Sequence, residues 1–396
     1  FSDTEIDSSG YQGSPVNGVV SSSTDSQNEA YSVNLTQPIF NMAAWYGYKQ
    51  GKALSQQAEA QFNADQQALI VRVSEAYFNA LRAIDNMETA KAEEKAYAHQ
   101  LEQTKQRFEV GLTAITDVHE AQAVYDTATA TTLEALGNLG ISFEELEVLT
   151  GRSHDGASPL VDDFPVVQPE PASRKAWVDF ALQNNHALKV AKFSSDSARQ
   201  NSRAKTSNHL PTVTGSYTYT DKDDTNTAIN YLGTSFDADS RNENGNTVAI
   251  SVNLPIFTGG RTSGERRQAH QQHMQSQETY NKALRGTIQA ARSLHLSVTI
   301  DVAQVKARKQ AITSNQSALE ATQAGYEVGT RNLVDVLVAQ RNVFDAQRNY
   351  DNTRYDYILS MLRLKESAGL LSPKDVQDLN RWLDADKPVM RSEFEK

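Results

Sequence analysis

Two aspartates, Asp117 and Asp335, are the best-placed residues for chemistry in this sequence, and that chemistry is electrostatic rather than covalent. They occupy matching places in FEVGLTAITDV (108–118) and YEVGTRNLVDV (326–336), each in the first turn of a helix that follows a glycine break. A carboxylate there is stabilised by the helix dipole by about 0.3–1 kcal/mol, which already accounts for an acid with no further role. The surroundings differ, however. Arg331 stands where the first stretch has Thr113, and Tyr326 where it has Phe108, so one stretch offers a cation and a phenol to the other's Thr116 and Asp117.

Other constellations are thin. With no Cys in the chain, disulfides, thiol catalysis and thiolate metal sites are excluded. His270 and His273 lie three apart on a helical stretch, but no acidic partner clusters with them as a metal site requires. Gly259-Gly260-Arg261 lacks the Gly-Lys-Ser/Thr ending of a phosphate loop. No Ser-His-Asp or paired-carboxylate pattern stands out, so no catalytic residue, metal or cofactor is expected.

The elements that position the two aspartates come from an internal duplication. Phe108 and Tyr326 are separated by 326 − 108 = 218, as are Gly111 and Gly329. SVNLTQPIF (32–40) answers SVNLPIF (251–257), and the LTG ending at Gly151 answers the SAG ending at Gly369. A nearly constant offset over so long a stretch signals two copies of one unit. In the second copy a helical segment, roughly 173–207, precedes a strand, and its counterpart would fall ahead of Phe1. The natural protein is therefore expected to carry about forty-five or more further residues at its start.

Each unit begins with strands. Tyr31, Val33 and Leu35 alternate with Ser32, Asn34 and Thr36; Val213, Tyr217 and Tyr219 alternate with Thr and Ser; Val248, Ile250, Val252 and Leu254 repeat the pattern. With a stump at Phe1 this gives four strands, two per copy, each with one apolar and one polar face. The polar stretches 7–28 and 222–246 read as exposed loops, and Pro38 and Pro255 as the ends of the ladders. A soluble sandwich fits the alternation as well as a membrane sheet does. In a bilayer, though, such strands must close into a barrel, and barrels begin at about eight strands. Four strands per chain would need oligomerisation, and three copies would give twelve.

After each proline the period changes from two to about 3.6. From Asn41 to Glu109 there is no Pro and the only Gly are Gly47 and Gly51, which predicts a helix on the order of 100 Å long. Leu69, Val73, Ala76, Ala80, Ile84 and Met87 keep the three-four spacing of a seam between helices, and Ile288, Ala291, Val298, Val302 and Val305 repeat it. Gly111 and Gly329 can take the left-handed conformation that closes a helix. Returning helices are expected over about 114–150 and 333–368, so each copy is a long helical hairpin. Residues 150–171, punctuated by Gly and Pro, and a short helix begun by Ser372-Pro373 would form a belt around the hairpins.

Composition agrees with an elongated helical assembly: 39% of the residues are hydrophobic and mean hydropathy is −0.56, a thin core for 396 residues. The net charge of −11 argues against nucleic acid and against a broad basic surface. No apolar run approaches the ~20 residues of a transmembrane helix.

QPIF (37–40), AYFNALRAID (76–85), RFEVGLTAITDV (107–118), HLP (209–211), LPIF followed by Gly259-Gly260, and AGYEVGTRNLVDVL (324–337) together resemble the TolC family of outer-membrane channel proteins, over essentially the whole chain. The resemblance implies a mainly α fold with a transmembrane β-barrel. Three copies would form a twelve-stranded barrel in the Gram-negative outer membrane, continuous with a twelve-helix periplasmic tunnel. It divides the chain into barrel strands and extracellular loops (1–40 and 209–257), a helical barrel (41–149, 173–208 and 258–368) and an equatorial domain (150–172 and 369–396). The implied function is an exit duct for multidrug efflux and type I protein secretion, without catalysis. Its implied partners are a periplasmic adaptor protein and an inner-membrane transporter of the RND, ABC or MFS class.

By the same resemblance, Asp117 bonds Tyr326 and Arg331, with Thr116 alongside, and this network holds the periplasmic entrance shut. Asp335 becomes a ring of three carboxylates that selects cations, and Gly111, Leu112, Gly329 and Thr330 are the tips that dock the adaptor. Val338 stands where better-known members carry a second Asp, and Gln323 where a Glu is familiar, which weakens the second ring and one tip ion pair. Two further readings stay open: a non-conducting coiled-coil scaffold of the cell surface, and phage or colicin reception at the loops 7–28 and 222–246.

Overall fold

A computed structural model describes residues 3–12, 20–231, 234–236 and 240–394. In chain order the elements are β1 (Asp3–Gln12), β2 (Val20–Phe40), α1 (Met42–Glu109), α2 (Ile115–Thr150), β3 (Gly156–Ala157), α3 (Arg174–Asn184) and α4 (His186–Ser207). There follow β4 (Thr212–Tyr231), β5 (Thr234–Phe236), β6 (Ser240–Asn253), α5 (Arg261–Glu327), α6 (Leu333–Ser367), α7 (Pro373–Asn380) and β7 (Val389–Met390). They fall into two compact units, one of Phe1–Leu54 with Ser195–Ser276, the other of Ser55–Ser194 with Gln277–Lys396.

The first unit is an antiparallel sheet in the order β1-β2-β4-β6, with the short β5 paired to the end of β4. Val33 lies opposite Tyr219 and Leu35 opposite Tyr217, while Tyr217 lies opposite Val248 and Gly215 opposite Ile250. One face is therefore an apolar row, and it is open: Val33, Leu35, Val248 and Ile250 are each more than 60% exposed. Ser32, Asn34, Thr36 and Thr218 form the other face. Among the described residues the sheet does not close on itself, and an apolar row on an open sheet needs further strands and lipid to become stable in a membrane.

The strands run further than the alternation predicts. Much of 7–28 and 222–246 is ladder, not loop: Asp7 pairs with Asp25 and Gly10 with Ser22, and Asp224 pairs with Arg241. Beyond the apolar band both faces of a hairpin can meet water, so the two-residue period vanishes from the sequence while the backbone pairing continues. The parts 13–19, 232–233 and 237–239 of those stretches lie outside the described residues. Nor does Pro38 end its strand. It sits opposite Thr214, and β2 continues to Phe40 across an irregularity in the register, a place where a residue without an N–H is tolerated.

In the second unit α1 and α2 form one hairpin, and α5 and α6 the other. Their seam is apolar: Phe78, Leu81, Ile84 and Met87 of α1, Leu139 and Phe143 of α2, Val298 of α5, and Ile358 and Leu362 of α6 are all buried in one cluster. Of the seam positions expected in α1, Ala76, Ala80, Ile84 and Met87 are buried while Leu69 is 45% exposed. Phe78 and Leu81 join the buried set at steps of three residues, which is why so hydrophilic a sequence still packs.

The segment 173–207 is two helices rather than one. At Asn185 the backbone leaves the helical region, with ψ 119°. Its side chain accepts from the Leu188 N–H at 2.8 Å and donates to the Ser367 carbonyl at 2.9 Å. Such local bonding competes with the helix. The chain passes close by on the other side: a Cβ on Gly369, whose φ is +68°, would stand 2.4 Å from the Asn184 carbonyl oxygen. Around the same level β3 pairs with β7, and Leu160 bridges to Leu383. In α7 the Asp375 carboxylate accepts from the Ser372 N–H at 2.8 Å and from Lys365 Nζ at 2.6 Å.

Candidate functional site at the hairpin tips

The two turns close alike. Leu112 N–H donates to the Arg107 carbonyl at 2.8 Å, and Thr330 N–H to the Gly325 carbonyl at 2.8 Å. Gly111 and Gly329 take φ of 78° and 77°. These are the six-to-one bonds and left-handed glycine that terminate a helix, and they give both copies the same backbone tip.

The side chains then diverge. Ala114, before α2, offers no side-chain cap, and Thr113 instead donates its hydroxyl to the Asp117 carboxylate. Asn332, before α6, caps properly: its Oδ1 accepts from the Asp335 N–H at 2.8 Å, while Asp335 Oδ2 accepts from the Asn332 N–H at 3.5 Å. Arg331 Nη1 lies 3.8 Å from Asp335 Oδ2, with the arginine side chain 61% exposed. Each aspartate is thus engaged within its own tip. Thr116 is exposed beside Asp117.

Tyr326 joins the hairpins. It packs against the cluster of Tyr97, Leu101, Ala121, Leu333 and Leu337, drawn from α1, α2 and α6. The Arg107 guanidinium lies 5.0 Å from its ring centroid, within cation–π range. Its hydroxyl is buried and has no hydrogen-bond partner among the described residues. A groove of about 560 Å³ opens here, lined by Gln103, Arg107, Val110, Gln323, Tyr326 and Glu327. Neither Asp117–Tyr326 nor Asp117–Arg331 is bonded within the chain among the described residues.

Three residues here escaped the sequence reading: Arg107, Gly325 and Asn332. A Cβ on Gly325 would stand 2.8 Å from Arg331 Cγ, so this glycine makes room for the arginine's stem. The signal was available in the duplication. Subtracting 218 from Gly325 gives Arg107 and from Asn332 gives Ala114, and positions where two copies disagree are where the tips do different things. Apolar side chains surround the turns: Val110, Leu112 and Val328 are 70, 68 and 75% exposed. Exposed apolar groups around a rigid turn suit a protein contact.

The fold and these tips define a class: a membrane β-sheet carrying long helical hairpins, with no helix long and apolar enough to cross a membrane among the described residues. The model of the family described as "Outer membrane efflux protein" matches residues 6–152 and 177–370. The outer membrane protein TolC of Vibrio cholerae is 38% identical over 90% of this chain and 80% of its own. The alkaline protease secretion protein AprF of Pseudomonas aeruginosa is 30% identical over 87% of this chain and 70% of its own. The crystal structure of the outer membrane protein VceC, also from Vibrio cholerae, superposes with a TM-score of 0.70 over 93% of this chain and 85% of its own, at 20% identity.

The chain belongs to the outer membrane efflux protein family. It is a Gram-negative outer-membrane channel for efflux and type I secretion, of the fold class in which the strands of three chains make a barrel and their helical hairpins a tunnel. That membership decides for the channel over the coiled-coil scaffold.

Proposed function

We propose that the channel is gated where its hairpins end, by a lock that joins Asp117 to Tyr326 and Arg331, with Thr116 beside it. The observation that carries the reading is the Tyr326 hydroxyl: it is buried at the meeting of the two hairpins with no partner among the described residues. A buried hydroxyl without a partner costs free energy on the order of 1–3 kcal/mol, so a state that supplies a carboxylate is favoured. Arg331 is exposed and holds Asp335 only at 3.8 Å, which leaves its guanidinium available to another carboxylate. In a trimer, three copies of Asp335 would form an acidic ring that attracts cations. Opening is then a rearrangement of packed hairpins that exchanges one set of contacts for another.

The tips also dock the periplasmic partner. Gly111 and Gly329 set the two turns, and Leu112 and Thr330 stand at their crests. A periplasmic adaptor protein, itself bound to an inner-membrane transporter of the RND, ABC or MFS class, would engage these apolar crests and break the lock. The division into barrel, helical barrel and equatorial regions at 1–40 with 209–257, at 41–149 with 173–208 and 258–368, and at 150–172 with 369–396 belongs to the same reading.

Planar-bilayer conductance of the purified trimer tests it. Arg331→Ser and Tyr326→Phe are expected to give larger single-channel steps than wild type, and unchanged steps in both would remove the lock.

A further inference from the structure

The net charge of −11 conceals a basic band where the helices adjoin the strands. Segments 41–54, 197–209 and 255–276 flank the ends of β2, β4 and β6; together they contain eight Lys and Arg against a single acid, Glu265. That acid is already taken, by Lys205 at 3.1 Å. The other cations of the band have no ion pair among the described residues.

Contacts join much of the band into a patch and an adjoining groove. Lys49 Nζ lies 5.1 Å from the Trp45 ring centroid and 5.7 Å from that of Tyr46, both on α1. The Arg203 guanidinium of α4 lies 5.9 Å from the same Tyr46 ring, so α1 and α4 share an aromatic and basic patch. Ser202 and Thr206, which flank Arg203 on α4, line a groove of about 530 Å³ with Arg266, Arg267 and His270 of α5. Trp45 is 52% exposed and Tyr48 65% exposed. Trp and Tyr of this kind settle at a lipid–water boundary.

The depth fits as well. Trp45, Lys49, Arg203 and Arg266 lie within about 10 Å of the strand-side ends of their helices, at about 1.5 Å per residue. The headgroup layer on one side of a bilayer is about 5–8 Å thick, so cations at this depth meet phosphates rather than acyl chains. Guanidinium groups bind phosphate through parallel N–H donors, and the Ser202 and Thr206 hydroxyls can donate to the remaining oxygens.

We propose that the groove between α4 and α5 binds the phosphate of an anionic phospholipid headgroup in the periplasmic leaflet, held by Arg266 and Arg267, with Arg203, Lys49 and Trp45 extending the same contact. This rests on the strands spanning the outer membrane, and goes beyond the gate, which lies in the other unit. A headgroup held at each protomer would fix the depth at which the barrel sits.

Native mass spectrometry of the detergent-purified trimer, titrated with phosphatidylglycerol or phosphatidylethanolamine, tests the site. Phosphatidylglycerol is expected to bind about tenfold more tightly or better, to weaken as salt rises, and to lose that advantage in the pair Arg266→Gln with Arg267→Gln. The pair Arg266→Lys with Arg267→Lys is expected to keep most of it. Equal binding of the two lipids overturns the proposal, as does a preference unchanged in the glutamine pair. Glycerol phosphate displacing the lipid at stoichiometric concentration would assign the groove to a free anion instead and equally overturn it. Should the glutamine pair fail to fold, the wild-type lipid preference and its salt dependence decide alone. Channel conductance, measured on the same samples, reports separately on the membrane-channel reading.

Discussion

The Tyr355 hydroxyl of α6 donates to Asp85 Oδ2 of α1 at 2.6 Å, tying the two copies together inside the helical core. Burial pushes the Asp85 carboxyl up to about 7; Asp351 and Glu88 add to the rise, while the Tyr355 hydrogen bond and Arg354 oppose it. An unfolded aspartate titrates near 3.9. Between about pH 4 and 7 the folded chain therefore holds a proton that the unfolded chain releases, and this site's contribution to stability falls as pH rises through that window. Asp85→Asn keeps an acceptor for Tyr355 without the charge. It is expected to raise the unfolding temperature at about pH 8 and to flatten part of its pH dependence, as thermal denaturation followed by circular dichroism would show. Glu88, Glu93 and Asp351 are also pushed up by burial, so some dependence of the same sign persists in the variant.

On the proposed gate Asp335 would have two jobs, a cap and a ring, that one substitution separates. Its N–H is capped by Asn332, which Asp335→Asn leaves intact, while the charge is lost. The variant is expected to form normal trimers and to lose cation preference in reversal-potential measurements. Unaltered selectivity would dismiss the ring.

How far the sequence spoke can be judged from these residues. Gly111, Gly329 and the stripe through Ala76, Ala80, Ile84 and Met87 announce themselves through duplication and period, because a left-handed glycine can close a helix and a long helix needs a continuous seam. Phe78 and Leu81, buried beside them, fall outside that spacing. The pairing of Asp7 with Asp25 announces nothing, since the sequence around both residues lacks the alternation of apolar and polar positions from which a strand is read. Asp85 was equally silent. Its position in AYFNALRAID marks it as part of the stripe's surroundings, but only the tyrosine reaching it from 270 residues away makes it a buried acid. The asymmetry of the tips was legible as Arg107 against Gly325, once the two copies were set side by side.

Two glycines with nearly the same backbone angles should respond differently to alanine. At Gly329 a Cβ meets nothing within 4 Å, so Gly329→Ala bears only the left-handed penalty, about 1–2 kcal/mol. At Gly369 the Cβ would also overlap the Asn184 carbonyl. Gly369→Ala is expected to lower the unfolding temperature far more, and comparable losses would refute the contact between Gly369 and the helix break.

Leucines at the core and at the crest separate stability from docking. Leu81 is fully buried, and Leu81→Ala is expected to cost about 2–5 kcal/mol. Leu112 is 68% exposed; Leu112→Ala is expected to leave unfolding unchanged but to weaken binding of the cognate adaptor in a pull-down of purified components. Wild-type binding by that variant would move the docking surface elsewhere.

Contacts that α1 makes far along the chain have a consequence for the order in which the molecule is made. Gln67 donates to the Leu371 carbonyl at 2.7 Å, and the carbonyl of Glu393 accepts from Lys91 at 3.3 Å. Both partners lie some three hundred residues downstream of the helix they hold. The hairpin of α1 and α2 cannot finish its own packing until residues some three hundred positions further on have been made. Contacts of such long sequence separation slow folding, so during export α1 emerges well ahead of the residues that secure it.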